Sequence, residues 1–232
     1  ISICGIAKGA GMIEPNMATM LSFIMTDANI DHRCLRTVFR RGVKRSYNAI
    51  SVDGCMSTND TVIILANGVA GNTILKSRSR GLAAFENALV EVMTGLAKSI
   101  VRDGEGATKL IEIVVDEARS FGEARSVAYS IANSSLVKTA FFGEDPNWGR
   151  IIAAIGSTGV PVSPDSVELY FDEVPLFLGG TGIKRDKKDL SAIMSKDTIR
   201  VAVKLGMGKR SFRLYTSDLT HEYVTINAHY HT

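Results

Sequence analysis

A chain of 232 residues can bury a real core in one or two domains, and 45% hydrophobic with 22% charged residues is ordinary for a soluble globular protein. A net charge of +3 is too small to argue for a dedicated nucleic-acid surface, and no apolar run approaches the length that spans a bilayer. Three cysteines, Cys4, Cys34 and Cys55, have no CxxC spacing; they read as reduced thiols and lack the usual zinc-ligand pattern.

Residues 1–7 are strand-like. Residues 8–21, Lys8-Gly9-Ala10-Gly11-Met12-Ile13-Glu14-Pro15-Asn16-Met17-Ala18-Thr19-Met20-Leu21, exclude an ordinary helix through their glycines and Pro15. Pro15 biases Glu14 toward an extended conformation. The stretch reads as a tight loop running into an apolar strand, 20–25, expected to be buried on both faces. Thr19, the only hydroxyl of the stretch, sits at that junction. A threonine becomes a nucleophile when its own α-amine takes the hydroxyl proton, which requires the preceding peptide bond to be cut. On spacing alone, a threonine that merely opens a strand is the commoner reading. Lys8 is followed by Gly9 rather than Ser or Thr, so it does not fit the phosphate-loop pattern.

Asp31 can cap a helix reaching about residue 48, with Leu35, Val38, Phe39 and Val43 at helical spacing. Its other face carries Arg33, Arg36, Arg40, Arg41, Lys44 and Arg45. No aromatics interleave with these charges, so a solvated face or subunit contact is favoured over a nucleic-acid footprint. Residues 53–61 form a polar turn, and 61–66 a buried strand stopped by Asn67-Gly68. Residues 79–102 are the longest helical pattern, with Leu82, Phe85, Leu89, Met93 and Ile100 on one stripe and Asp103-Gly104 as the stop. Glu105 follows in a loop before a strand at 110–115.

Helices are expected at 123–134 and 136–142, and another at 148–157 opened by Asp145-Pro146, with Trp148 as a core anchor. Residues 167–171 and 173–178 are extended, 179–182 a glycine turn, and 184–188 a solvated charge run. Segments 198–205 and 211–216 around Gly206-Met207-Gly208-Lys209 read as a hairpin. In the tail, 223–226 is apolar enough to dock as a strand. His229 and His231 would share one face of an extended segment, which is weak support for a metal. No repeat or linker emerges, and interleaved strands and helices point to one layered α/β domain.

Five ordered motifs carry a resemblance that covers essentially the whole chain. They are Lys8–Leu21, Asp53-Gly54 with Ser57-Thr58-Asn59-Asp60-Thr61, Asp103-Gly104-Glu105-Gly106-Ala107-Thr108-Lys109, Asp145-Pro146-Asn147-Trp148-Gly149-Arg150, and Tyr223-Val224-Thr225-Ile226-Asn227-Ala228. Together the sequence resembles the ornithine acetyltransferase, or glutamate N-acetyltransferase, family of arginine biosynthesis. The resemblance implies an α/β fold, a layered αββα-type arrangement similar to that of self-cleaving aminopeptidases. It implies autocatalytic cleavage between Ala18 and Thr19. Residues 1–18 would then be the C-terminal tail of an α chain, and 19–232 the β chain carrying the Thr19 nucleophile.

The implied reaction moves the acetyl group of N2-acetylornithine to glutamate through an acetyl-threonine ester, without cofactor or metal. The sequence leaves acetyl-CoA open as a second donor. Lys8, Thr19, Glu105, Asn227 and Thr232 match the family's substrate-binding positions. The implied partner is the α chain of the same precursor in an α2β2 heterotetramer, cytoplasmic or organellar, with no nucleic acid and no membrane. The family's oxyanion donors are a Thr-Gly pair in the upstream chain, which these 232 residues do not contain, so the chain alone is expected to be inactive. The rival reading is a related self-cleaving aminopeptidase, whose acyl-enzyme would be hydrolysed by water.

Overall fold

The structure is a computed structural model that describes residues 1–9, 11–14, 20–56 and 59–229. Its internal contacts cluster into two compact units, Ile1–Ile100 and Val101–Thr232, a division that no linker composition marks.

In the first unit β1 (Ile3–Lys8) pairs antiparallel with β2 (Leu21–Thr26). Helix α1 (His32–Arg45) begins as the sequence predicts, with the Asp31 carboxylate accepting from Cys34 N at 3.0 Å. A 3₁₀ turn at Tyr47–Ala49 follows, then a two-residue strand, β3 (Ile50–Ser51). Strand β4 (Thr61–Ala66) lies parallel to β2, giving the sheet order β1-β2-β4. Helix α2 (Leu82–Arg102) buries Phe85, Leu89, Met93 and Ile100 of the predicted stripe. The two helices approach closely at Gly42, where a β-carbon would come within 2.9 Å of the Met93 sulfur. On their exposed side Arg41 forks onto Glu86 through two bonds of 2.7 and 2.6 Å, so part of the basic stripe on α1 is spent within the unit.

The sheet corrects one expectation. Neither β2 nor β4 is buried on both faces. Ser22, Ile24 and Thr26 of β2 are buried, whereas Leu21, Phe23 and Met25 are 41%, 37% and 37% exposed. Registry places these three beside Lys8, Ile6 and Cys4 of β1 and beside Thr61, Ile63 and Leu65 of β4. One face of the sheet is therefore an open, mostly apolar surface. The buried face of β2 carries Ser22 and Thr26 beside Ile24, so the apolar residues along the strand do not report which face is covered.

In the second unit β5 (Leu110–Ala118) is central and almost wholly buried. Helix α3 (Phe121–Asn133), capped by Ser120, packs on β5 and buries Ala124, Val127, Ala128 and Ile131. Helix α4 (Ser135–Phe142) and α5 (Trp148–Gly156) follow. The cap of α5 is Asn147, which accepts from Arg150 N, rather than Asp145. Strands β6 (Glu168–Phe171), β7 (Val174–Leu178) and β8 (Thr181–Gly182) form a meander. The predicted charge run opens a helix the sequence reading missed, α6 (Lys187–Met194), capped by Asp186.

Strands β9 (Thr198–Lys204) and β10 (Arg210–Ser217) do not form the expected hairpin. The order is β10-β5-β9-β6-β7-β8, with β5 antiparallel to β10 and parallel to β9. The glycine connection passes over the end of β5, where Leu205 N donates to Asp116 O and both Met207 N and Gly208 N donate to Glu117 O. Helix α7 (His221–His229) replaces the expected tail strand.

Candidate active site

Two carboxylates organise the first unit around the predicted cleavage segment. The Asp53 carboxylate accepts from Met12 N at 2.8 Å and Ile13 N at 3.0 Å, while turning its own loop through Cys55 N at 3.0 Å. Backbone bonds extend this anchor, Glu14 N to Cys55 O at 3.1 Å and Val52 N to Ile13 O at 2.6 Å, and Ile13 is fully buried. Beyond the cleavage segment the Asp60 carboxylate accepts from Met20 N, and Thr61 N donates to Met20 O at 2.9 Å. One polar segment, 52–61, thus grips the chain on both sides of residues 15–19. Ala18 and Thr19 lie outside the described residues.

Asp60 is held at some cost. Its Oδ2 is buried with no hydrogen-bond partner among the described residues. Burial pushes its carboxyl above the usual range, and the bond from Met20 N only partly opposes that. A cavity of about 550 Å³ opens beside it, lined by Met20, Arg40, Lys44, Tyr47, Asp60 and Val62. Tyr47 is fully buried, and its hydroxyl bonds Ser22 Oγ at 2.6 Å. Burial raises this phenol above its ordinary value, so it stays protonated. Burial, with Asp53 and Glu14 nearby, also pushes the Cys55 thiol up. Cys55 is therefore a poor thiolate, in keeping with its reading as a reduced thiol.

Lys8 lies exposed at the end of β1, on the open face and paired in register with Leu21. Its reach toward the residues that follow the cleavage segment comes directly from the β1–β2 pairing.

The second unit brings two predicted residues together. Asn227 Nδ2 donates to Glu105 Oε2 at 2.9 Å across 122 residues of sequence. The loop bearing Glu105 is fixed by the buried Asp218, whose carboxylate accepts from Thr108 N, Thr108 Oγ1 and Lys109 N. Thr220 Oγ1 donates to Gly106 O at 2.7 Å and accepts from Tyr223 N at 3.3 Å, which also caps α7. Gly106 has φ +66°, and a β-carbon there would lie 2.5 Å from Tyr223 N. Gly106, directly after Glu105, thus lets the helix start sit against the loop. Thr232 and His231 lie outside the described residues. Among the described residues no three His, Cys, Asp or Glu side chains converge as a metal site would require, and no helix is long and apolar enough to cross a membrane.

Asp53 and Asp60 were legible only as parts of a motif. Carboxylates at both ends of a polar turn are a signal for N–H capture, but the partners are 40 residues away or more.

Comparison with known proteins adds four findings. The model of the ArgJ family matches residues 1–232. An "Arginine biosynthesis bifunctional protein ArgJ" of Geobacter sulfurreducens is 53% identical over 232 residues, covering 100% of this chain and 59% of that protein. A mitochondrial protein of the same name from Heterostelium pallidum is 45% identical over 250 residues, covering 58% of its length. The crystal structure of Arginine biosynthesis bifunctional protein argJ from Bacillus halodurans matches with a TM-score of 0.88 at 41% identity. That match covers 91% of this chain and 100% of the solved one, and it supports the layered α/β fold. The chain spans somewhat under two-thirds of the length of these curated relatives.

Proposed function

Because this chain belongs to the ArgJ family, we propose that it carries the nucleophile of an acetyltransferase that moves the acetyl group of N-acetylornithine to glutamate in arginine biosynthesis. The observation that carries the reading is the double grip of segment 52–61 on residues 12–14 and on Met20. Holding residues 12–14 and Met20 to one segment fixes the described flanks between which the proposed cut at Ala18–Thr19 falls, and positioning of this kind favours an intramolecular cleavage. Residues 1–18 would end one product chain and 19–232 would form the other.

Once freed, the α-amine of Thr19 has an ordinary pKa of roughly 8 and is a usable base near neutral pH. It takes the Thr19 hydroxyl proton as the oxygen attacks the acetyl carbonyl. Ornithine leaves with a proton, and an acetyl-Thr19 ester remains. The amine of glutamate then attacks that ester and the Thr19 oxygen departs, a ping-pong sequence. The Glu105 carboxylate suits a substrate ammonium. Asn227 offers both donors and an acceptor, and Lys8 offers a positive charge for a carboxylate. Thr232 completes the proposed substrate-binding set.

The partner is proposed to be the upstream chain of the same precursor, in an α2β2 assembly. The open face of Ile6, Leu21, Phe23, Met25, Ile63 and Leu65 supports this. Contiguous exposed apolar surface of this kind marks an interface, and about two-fifths of the relatives' length lies outside the matched part. Such an enzyme would work in the cytoplasm, or in an organelle as the mitochondrial relative's name indicates for that protein.

Intact-mass measurement on the full-length precursor tests the proposal. Wild type should yield a chain starting at Thr19, and N-acetylornithine without glutamate should add one acetyl group to it. Thr19→Ala should remain uncut and inactive. Full activity of an uncut precursor, or acetylation at Cys55, would overturn it. Parallel assays with N-acetylornithine and acetyl-CoA identify the donors, and release of acetate independent of glutamate would favour the hydrolase reading.

A further inference from the structure

We propose that Glu144 is a positioning residue for the substrate-binding pair Glu105 and Asn227, acting through its ion pair with Lys109. The assignment rests on the reading of that pair as part of the acetyl-transfer site and deepens it.

The backbone at the end of α4 points to a role for the Glu144 side chain. Glu144 N donates to Phe141 O at 3.2 Å and Asp145 N to Ala140 O at 2.9 Å. This helix stop calls for a left-handed residue just after the cap, a place that glycine ordinarily fills. Gly143 is the cap itself, with φ −79°, and the left-handed place falls to Glu144 at φ +54°. A residue with a β-carbon is strained there, and glutamate offers the turn nothing that glycine would not. Strain kept at one position needs a return elsewhere.

Lys109 supplies it. Glu144 Oε1 accepts from Lys109 Nζ at 3.0 Å. The Lys109 side chain is only 9% exposed, against 46% for Glu144. A cation so far from water is costly without a carboxylate beside it. Lys109 closes the loop that begins at Glu105, and its N–H and that of Thr108 are both held by Asp218. The loop is therefore tied to segment 218–220 by its backbone and to the end of α4 by a side chain.

The same end of α4 touches the other arm of the pair. Phe142, two residues before Glu144, meets the His221 ring edge to face with centroids 5.4 Å apart. His221 opens α7, the helix that carries Asn227. One turn before Phe142, Lys138 Nζ donates to Ser217 O, and Lys138 O accepts from Leu219 N at 3.3 Å. Residues 138–144 thus contact both segments that bring Glu105 and Asn227 to 2.9 Å. The Asp145–Arg150 motif secures this platform, because Arg150 Nη1 donates to Leu136 O at 2.6 Å and to Thr139 Oγ1 at 3.2 Å. Releasing Lys109 lets the Glu105 loop shift against α7, and a two-point grip on substrate then loses its geometry.

The test uses the full-length precursor, with N-acetylornithine as donor and glutamate as acceptor. Glu144→Gly removes the carboxylate and the backbone strain together, while Glu144→Gln removes the charge alone. Both should be cut at Thr19 as wild type is, by intact mass. We expect each to raise KM for N-acetylornithine about fivefold or more with kcat within about threefold of wild type. Lys109→Met should raise KM alike, and combining it with Glu144→Gly should raise KM no further. A Glu144→Gly enzyme with wild-type KM would overturn the proposal, since a turn that only ends α4 loses nothing to glycine. Additive KM increases in the double variant would overturn it too, as would a loss confined to kcat. If a single variant, which leaves one charge unpaired, is too unstable to assay, the double variant decides: wild-type KM there rejects the assignment. Wild type that transfers no acetyl group from N-acetylornithine would instead reject the underlying reading.

Discussion

Glu105 and Asn227 meet at 2.9 Å although nothing in their local sequence requires it. Each is polar and at least partly exposed, and each sits in a run whose ordinary role is a loop or a chain end. Resemblance, rather than composition, picked them out of the sequence. If they bind substrate, Asn227→Ala should raise KM about ten- to a hundredfold, since a hydrogen bond to a charged group is worth roughly 1.5–3 kcal/mol. Cleavage at Thr19 should proceed as in wild type, which steady-state kinetics and intact mass together check. Asp53 and Asp60 mark the limit of residue-scale reading. A carboxylate near a turn is common, and only the fold reveals that both turn toward backbone N–H groups on either side of one short segment. Cys55 agrees with its reading as a reduced, unreactive thiol, since its surroundings disfavour the thiolate.

At the scale of elements, caps and periodicity were legible wherever a single helix face decided the outcome. Asp31 and the stripe on α2 behave as local physics dictates. Strand partners were not legible. The connection at Gly206 looks like a hairpin turn, but β5 fills the space between β9 and β10 because its buried backbone needs partners on both sides. The tail was misread because the short apolar run 223–226 fits a strand and a helix turn alike. The deciding signal was Thr220, three residues before Tyr223 N, with Glu222 in the first turn and His229 in the last. Gly106 couples that helix to the Glu105 loop. Gly106→Ala should therefore cost about 1–3 kcal/mol through a left-handed φ and a collision with Tyr223 N. The loss should appear as a lower denaturation midpoint together with a raised KM, and an unchanged midpoint would show that the loop and helix adjust independently.

At the scale of the molecule, the apolar strands were legible and their coverage was not. Leu21, Phe23 and Met25 read as core, yet this chain leaves them on an open sheet face. If the upstream chain covers it, Phe23→Asp should abolish co-purification of the two chains while leaving the folding of the first unit unchanged by circular dichroism. Retained co-purification would place the interface elsewhere. The pairing of β1 with β2 has a further consequence. Six residues on the upstream side of the proposed cut are in register with six on the downstream side, and Ile13 and Glu14 remain bonded to Val52 and Cys55. Cleavage there would sever a covalent connection inside a sheet without separating the strands it joined. The products would be complementary fragments, held by a ladder that neither can satisfy alone. Their unfolding would then depend on concentration, a property the uncut chain lacks, because the loop that once kept the strands at high effective concentration is gone.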